Sequence, residues 1–164
     1  MHIVWQNDYN LGIEVIDGQH LRIVDYINAL HDAILMPEPR KHIHLMQVLK
    51  DVVDYTESHF SFEETMLEDV GYPFLNAHKK VHELFIRRLN DYIRRYTSEG
   101  HDVAIELRDT LSRWLINHIK NEDADYCKYI RKMQSQPVNR PITVVQPKPR
   151  DVQTASLWRR LFWG

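Results

Sequence analysis

Apolar residues recur along this chain at helical spacing in four separate runs. In the first, Ile23, Val24, Ile27, Leu30 and Ile34 follow Asp17-Gly18-Gln19-His20 at intervals of three and four. That is the period of a helix with one face turned to a core. Asp17 suits the N-cap of this helix, and Pro37 and Pro39 stop it. A second run, from about Lys41 to Leu67, has Leu45, Val48, Leu49, Val52, Thr56, His59, Phe60, Glu63 and Met66 on its inward stripe. The third, roughly Phe74 to Tyr96, turns Phe74, His78, Val81, His82, Phe85, Leu89 and Tyr92 inward. Gly71 and Pro73 separate it from the second by a tight reversal. The fourth begins near Asp102 and places Leu107, Leu111, Trp114, Leu115, His118 and Ile119 on one face. Beyond Asn121 the pattern permits either continuation or a break before Lys132.

Four amphipathic helices with short connections predict an all-α fold, an up-down-up-down four-helix bundle. Residues 1–17 scatter Trp5, Tyr9, Leu11, Ile13, Val15 and Ile16 among polar positions. They are too irregular for a helix and too apolar for a free tail, so an N-terminal arm packed along the bundle is expected. From Gln134 onward, Pro137, Pro141, Pro147 and Pro149 mark an extended, Pro-rich C-terminal tail. The expected division is therefore a bundle over 1–133 and, over 134–164, a linker with a short aromatic and basic segment. In that segment Leu157, Trp158, Leu161, Phe162 and Trp163 offer a surface for a protein or membrane contact.

Composition narrows the class. A chain of 164 residues with 43% hydrophobic and 27% charged residues suits one soluble domain with an appendage. A net charge of −2 gives no expectation of a nucleic-acid partner. The single cysteine, Cys127, excludes an internal disulfide framework. No signal peptide or spanning apolar run is visible, so the cytoplasm is the expected compartment. The oddity is ten histidines.

Their positions explain it. His59 with Glu63 and His78 with His82 are pairs four residues apart, each projecting from one helical face. In an up-down-up-down bundle, the starts of the first and third helices share an end with the finishes of the second and fourth. His20, His59, Glu63, His78, His82 and His118 all fall at that end. His31, His42, His44 and His101 fall toward the other, and His2 lies in the arm; these five are expected to be solvated or singly satisfied. Five imidazoles and a carboxylate exceed a structural zinc site, and thiolates are absent. The donor set suits iron, zinc, copper or nickel, and six or seven ligands suit two metals sharing bridging carboxylates. The ferritin-like di-iron pattern, with its two Glu-x-x-His motifs, is absent. For a seventh ligand, α-helical geometry favours Glu122, four residues after His118, over Asp123, which is rotated by about 140°.

Together, Trp5…Tyr9…Gly12…Asp17-x-Gln19-His20, His59-Phe60-x-x-Glu63, His78-x-x-x-His82 and Trp114-Leu115-x-x-His118-Ile119-x-x-x-Asp123 resemble the bacteriohemerythrins of the hemerythrin family. The resemblance covers roughly residues 1–133. It implies reversible O2 binding at a non-haem di-iron centre, two iron ions cycling between Fe2+ and Fe3+ with a bridging oxo or hydroxo group. By that pattern one iron takes His78, His82 and His118, the other His20 and His59, and Glu63 and Asp123 bridge them. The resemblance thus overrides Glu122. Uptake of O2 with two electrons and the bridge proton would leave the charge buried at the site unchanged, avoiding a large desolvation cost. Ile23, Phe60, Trp114, Leu115 and Ile119 stand beside these positions as walls of an O2 pocket, while also serving as ordinary core. The expected function is an oxygen carrier or store rather than an enzyme. The alternatives are an O2 or redox sensor, or a di-iron oxidase, peroxidase or iron-handling protein.

Overall fold

The computed structural model describes residues 2–38, 40–99 and 101–135. The helices are α1 (Glu14–Leu35), α2 (Arg40–Asp69), α3 (Leu75–Glu99), α4 (His101–His118) and α5 (Ala124–Ser135). A π-helical segment, Ile119–Asp123, joins α4 to α5 without a turn, so the last three pieces form one long fourth helix. α1 packs on α2 and α4, and α3 packs on the same two, which closes the four-helix bundle. The Pro-rich tail and the aromatic cluster at 157–163 lie outside the described residues.

The predicted stripes form the core. Ile27 and Leu30 of α1, Leu45 and Leu49 of α2, Leu89 of α3 and Leu107 and Leu111 of α4 are all buried. Each such side chain contributes about 1.5–3 kcal/mol by leaving water. Phe74 departs from its stripe: it lies just before α3 and is exposed.

The reversal between α2 and α3 has a physical stop signal. Gly71 adopts a left-handed φ of 66°, its N–H bonds to the Glu68 carbonyl, and the Tyr72 N–H bonds to the Leu67 carbonyl. This crossed pair is a Schellman cap, which needs a residue at positive φ.

Asp17 is not the cap of α1. The helix starts at Glu14, with Ile13 in the cap position and no side-chain capping bond. The Asp17 carboxylate instead accepts the N–H groups of Leu11 (2.7 Å) and Gly12 (2.9 Å). Its capping chemistry is spent on the arm, where Gly12 has a φ of 80°. The arm is ordered as expected and contains a short 3-10 turn at Asn7–Tyr9. Tyr9 and Leu11 are buried, and the Ile3 backbone exchanges hydrogen bonds of 2.8 and 2.9 Å with the Asn28 side chain.

Candidate metal centre

Helix direction brings His20 of α1, His59 and Glu63 of α2, His78 and His82 of α3, His118 of α4 and Asp123 of the π segment to one end of the bundle. All seven are buried. Glu63 Oε2 lies 3.7 Å from His59 Nε2, 3.6 Å from His78 Nε2 and 3.5 Å from His82 Nε2. Asp123 spans the cluster: Oδ2 is 3.2 Å from His20 Nε2, and Oδ1 is 3.1 Å from His118 Nε2 and 3.7 Å from His78 Nε2. Two groups with metal-ligand spacing result, His20–His59–Glu63 and Glu63–His78–His82–His118, sharing one carboxylate.

Asp123 reaches this position because the helix widens. The Ala124 N–H bonds to the Ile119 carbonyl five residues back, which is the π-helical closure. Residues five apart then stack, and Asp123 faces inward under His118. Glu122, the choice of plain α-helical geometry, is one-third exposed, its Oε2 3.5 Å from the outer Nδ1 of His118.

The arrangement makes sense around a cation. Both nitrogens of His20, Nε2 of His59 and His78, Oε2 of Glu63 and both oxygens of Asp123 are buried without a hydrogen-bond partner. A buried polar atom left unpaired costs about 1–3 kcal/mol, and although Asp123 and Glu63 lie at ion-pair distance from these imidazoles, a cation among them would satisfy all of these atoms at once. The charges agree. Burial pushes His59 down to about 3, despite Glu63, which keeps it neutral with a free lone pair. Burial also opposes a charge on His118, yet Asp123, Glu122 and Glu63 together push it up to about 10. The same carboxylates that raise His118 would favour a bound cation at this end of the bundle.

Outer contacts aim the rings. His59 Nδ1 meets Gln19 Oε1 at 2.8 Å, and His82 Nδ1 meets Glu64 Oε1 at 2.9 Å. The Tyr126 hydroxyl donates to Glu63 Oε1; burial, with Glu63 and Asp123 nearby, raises its pKa well above that of an ordinary tyrosine.

A family model for the "Hemerythrin HHE cation binding domain" matches residues 11–130. The chain is 53% identical over 135 residues to a bacteriohemerythrin of Pseudomonas paraeruginosa, covering 82% of this chain and 86% of that one. It is 47% identical over 129 residues to a bacteriohemerythrin of Stenotrophomonas maltophilia, covering 79% and 82%. Among solved structures, the crystal structure of a hemerythrin point mutant superposes with a TM-score of 0.65 at 26% identity, covering 77% of this chain and 95% of that one.

The chain belongs to the hemerythrin family.

In this hemerythrin bundle, four of the five side chains expected to wall a pocket are buried: Ile23, Phe60, Leu115 and Ile119. Phe60 stacks flat on the His82 ring, centroids 3.7 Å apart. Trp114 is only partly buried; it lies 4.3 Å from the His118 ring and 3.5 Å from Phe85, so it covers the cluster from outside. Tyr126 and Glu64 were missed by sequence reasoning, and Gln19 was noted without a role. The available signals were weak: Tyr126 is three residues after Asp123, and Gln19 and Glu64 adjoin His20 and Glu63. His2, His31 and Asp32 form a small separate group at the arm, His42 bonds the Tyr96 hydroxyl at 3.2 Å, and His44 is exposed. The side chain of His101 lies outside the described residues. Among the described residues, no helix is long and apolar enough to cross a membrane.

Proposed function

We propose that this chain binds O2 reversibly at a non-haem di-iron centre and acts as an oxygen carrier or store. The observation supporting this most directly is the pair of buried groups, His20–His59 and His78–His82–His118, with Glu63 and Asp123 between them. One iron would be held by His78, His82 and His118 and the other by His20 and His59, with Glu63, Asp123 and an oxo or hydroxo group as bridges. Bound iron supplies the electrons that dioxygen borrows on uptake and returns on release.

The chain's own residues set how that loan ends. Mostly imidazole donors stabilise ferric iron less than a carboxylate-rich set would, which favours release. Ile23, Phe60, Leu115 and Ile119 keep water from the pocket, and water exclusion suppresses side reactions. These four carry no acid or base to deliver a proton, which favours a binding protein over an oxidase or peroxidase. Tyr126 keeps its own proton and holds Glu63 in place through a hydrogen bond. We assign this binding to the bundle, 1–133, and treat 134–164 as an appendage making protein contacts through its aromatic cluster. The cytoplasm suits Cys127, whose thiol burial, with Asp123 nearby, pushes up to about 12 and leaves unreactive.

Stopped-flow mixing of the ferrous protein with O2, followed by argon flushing, tests the reading. Full recovery of the ferrous spectrum is expected, with two irons per chain by metal analysis. Irreversible oxidation on mixing, or one zinc and no iron from iron-replete cells, would reject it.

A further inference from the structure

Behind the candidate ligands, the two metal positions differ in charge. At the three-histidine position, His82 Nδ1 is hydrogen-bonded to the Glu64 carboxylate at 2.9 Å. On the same side, the Glu122 carboxylate stands 3.5 Å from His118 Nδ1, at ion-pair distance but without a hydrogen bond. At the two-histidine position, His59 Nδ1 meets the neutral amide oxygen of Gln19 at 2.8 Å, and His20 Nδ1 is buried with no partner. The hydrogen-bond lengths at Glu64 and Gln19 are nearly the same, so the difference between them is one of charge.

That difference acts on the metal-facing nitrogen. A carboxylate drawing on the Nδ1 proton makes Nε2 a stronger donor and places a negative charge behind the ring. Both effects favour a bound cation, and a more highly charged cation most of all. Partners of this kind change metal affinity by about 10–100-fold. The Glu64 side chain is 26% exposed and that of Glu122 34%, so solvent screening places them toward the lower end of that range.

We propose that Glu64, supported by Glu122, is a positioning residue that makes His78–His82–His118 the tighter and more ferric-favouring metal position, and that Gln19 leaves His20–His59 the weaker one. This rests on the di-iron reading above. The unequal number of histidines also separates the two positions, so the test lies in how each step responds to the charge behind the ring.

The metal-free full chain is titrated with Co(II) against a competing chelator, and its visible bands are followed through both binding steps. Two steps are expected. Glu64→Gln keeps a hydrogen-bond acceptor and removes only the charge, and it weakens the tighter step about tenfold while leaving the other unchanged. Gln19→Glu strengthens the weaker step by a similar factor. In the iron-loaded protein, Glu64→Gln raises the first midpoint potential by about 59 mV for each tenfold loss of ferric preference. A merely structural role for Glu64 would weaken both steps together and leave the potential unmoved, which would overturn the proposal. So would two wild-type steps that neither variant shifts, with the di-iron reading left standing. Uptake of a single Co(II) by the wild-type chain overturns the di-iron reading and the proposal together.

Discussion

Deleting one residue from the π segment should leave this protein folded, although the same edit elsewhere in the fourth helix should destroy it. Within a regular α-helix, a one-residue deletion turns everything downstream by about 100°. Deleting the exposed Arg113 would therefore swing Leu115, Ile119 and Ile130 out of the core, where all three are now buried. Those aliphatic side chains alone represent about 5–9 kcal/mol, comparable to the whole stability of a domain. Asn121 is different. It is exposed, and its side chain bonds to Asn117 at 2.8 and 3.0 Å. Removing it lets Ile119–Asp123 close as ordinary α-helix, and the five-residue step from His118 to Asp123 becomes four. Asp123 and Tyr126 then keep their facing, at a cost of about 1 kcal/mol, typical of a single point change. Urea unfolding of the metal-free proteins gives the stability change, and metal stoichiometry reports the site. If the Asn121 deletion unfolds or sheds metal as readily as the Arg113 deletion, the extra residue is not what turns Asp123 inward.

Other predictions address single groups. Asp123→Ala should abolish stoichiometric metal binding, whereas Glu122→Ala should weaken it about 10–100-fold at most; equal losses by metal analysis would contradict the bridging assignment. Tyr126→Phe leaves Glu63 Oε1 without its donor and should lower the stability of the metal-free protein by about 1–3 kcal/mol in chemical denaturation. An unchanged midpoint would mean this hydrogen bond contributes nothing. Leu115→Ala should speed autoxidation of the oxygenated protein while costing about 2–5 kcal/mol of stability, so rates belong at a temperature where both proteins are folded. An unaltered rate would leave Leu115 with only a packing role. Removing 134–164 should preserve metal content and O2 binding, measured by metal analysis and the oxygenated spectrum; loss of either would place the tail within the functional unit.

The convergence of His20, His59, Glu63, His78, His82 and His118 was legible before any coordinates. It depends on two things a sequence displays directly: an apolar period of three to four residues, and short connections that force neighbouring helices to run antiparallel. Both are local, so chain order alone shows which helix ends meet. The last carboxylate was not legible from geometry. Asp123 lies on the wrong face of an ideal α-helix; the family resemblance supplied the residue, with a break near Asn121 as the expected route inward, but the helix instead continues and widens, the bond from Ala124 back to Ile119 bringing Asp123 under His118. Asp17 shows the same limit. Its chemistry suits a helix cap, but two arm N–H groups are better placed to receive it. The bond from Tyr126 to Glu63 crosses 63 residues, and that from His59 to Gln19 crosses 40. Polar partners at such separations are chosen among several candidates by where packing leaves each atom, because a buried donor or acceptor must pair with whatever the fold brings within about 3 Å. The pattern of apolar and polar positions thus determined which helices form and which ends meet. The tertiary structure decided which hydrogen bonds aim the imidazoles and which carboxylate faces His118.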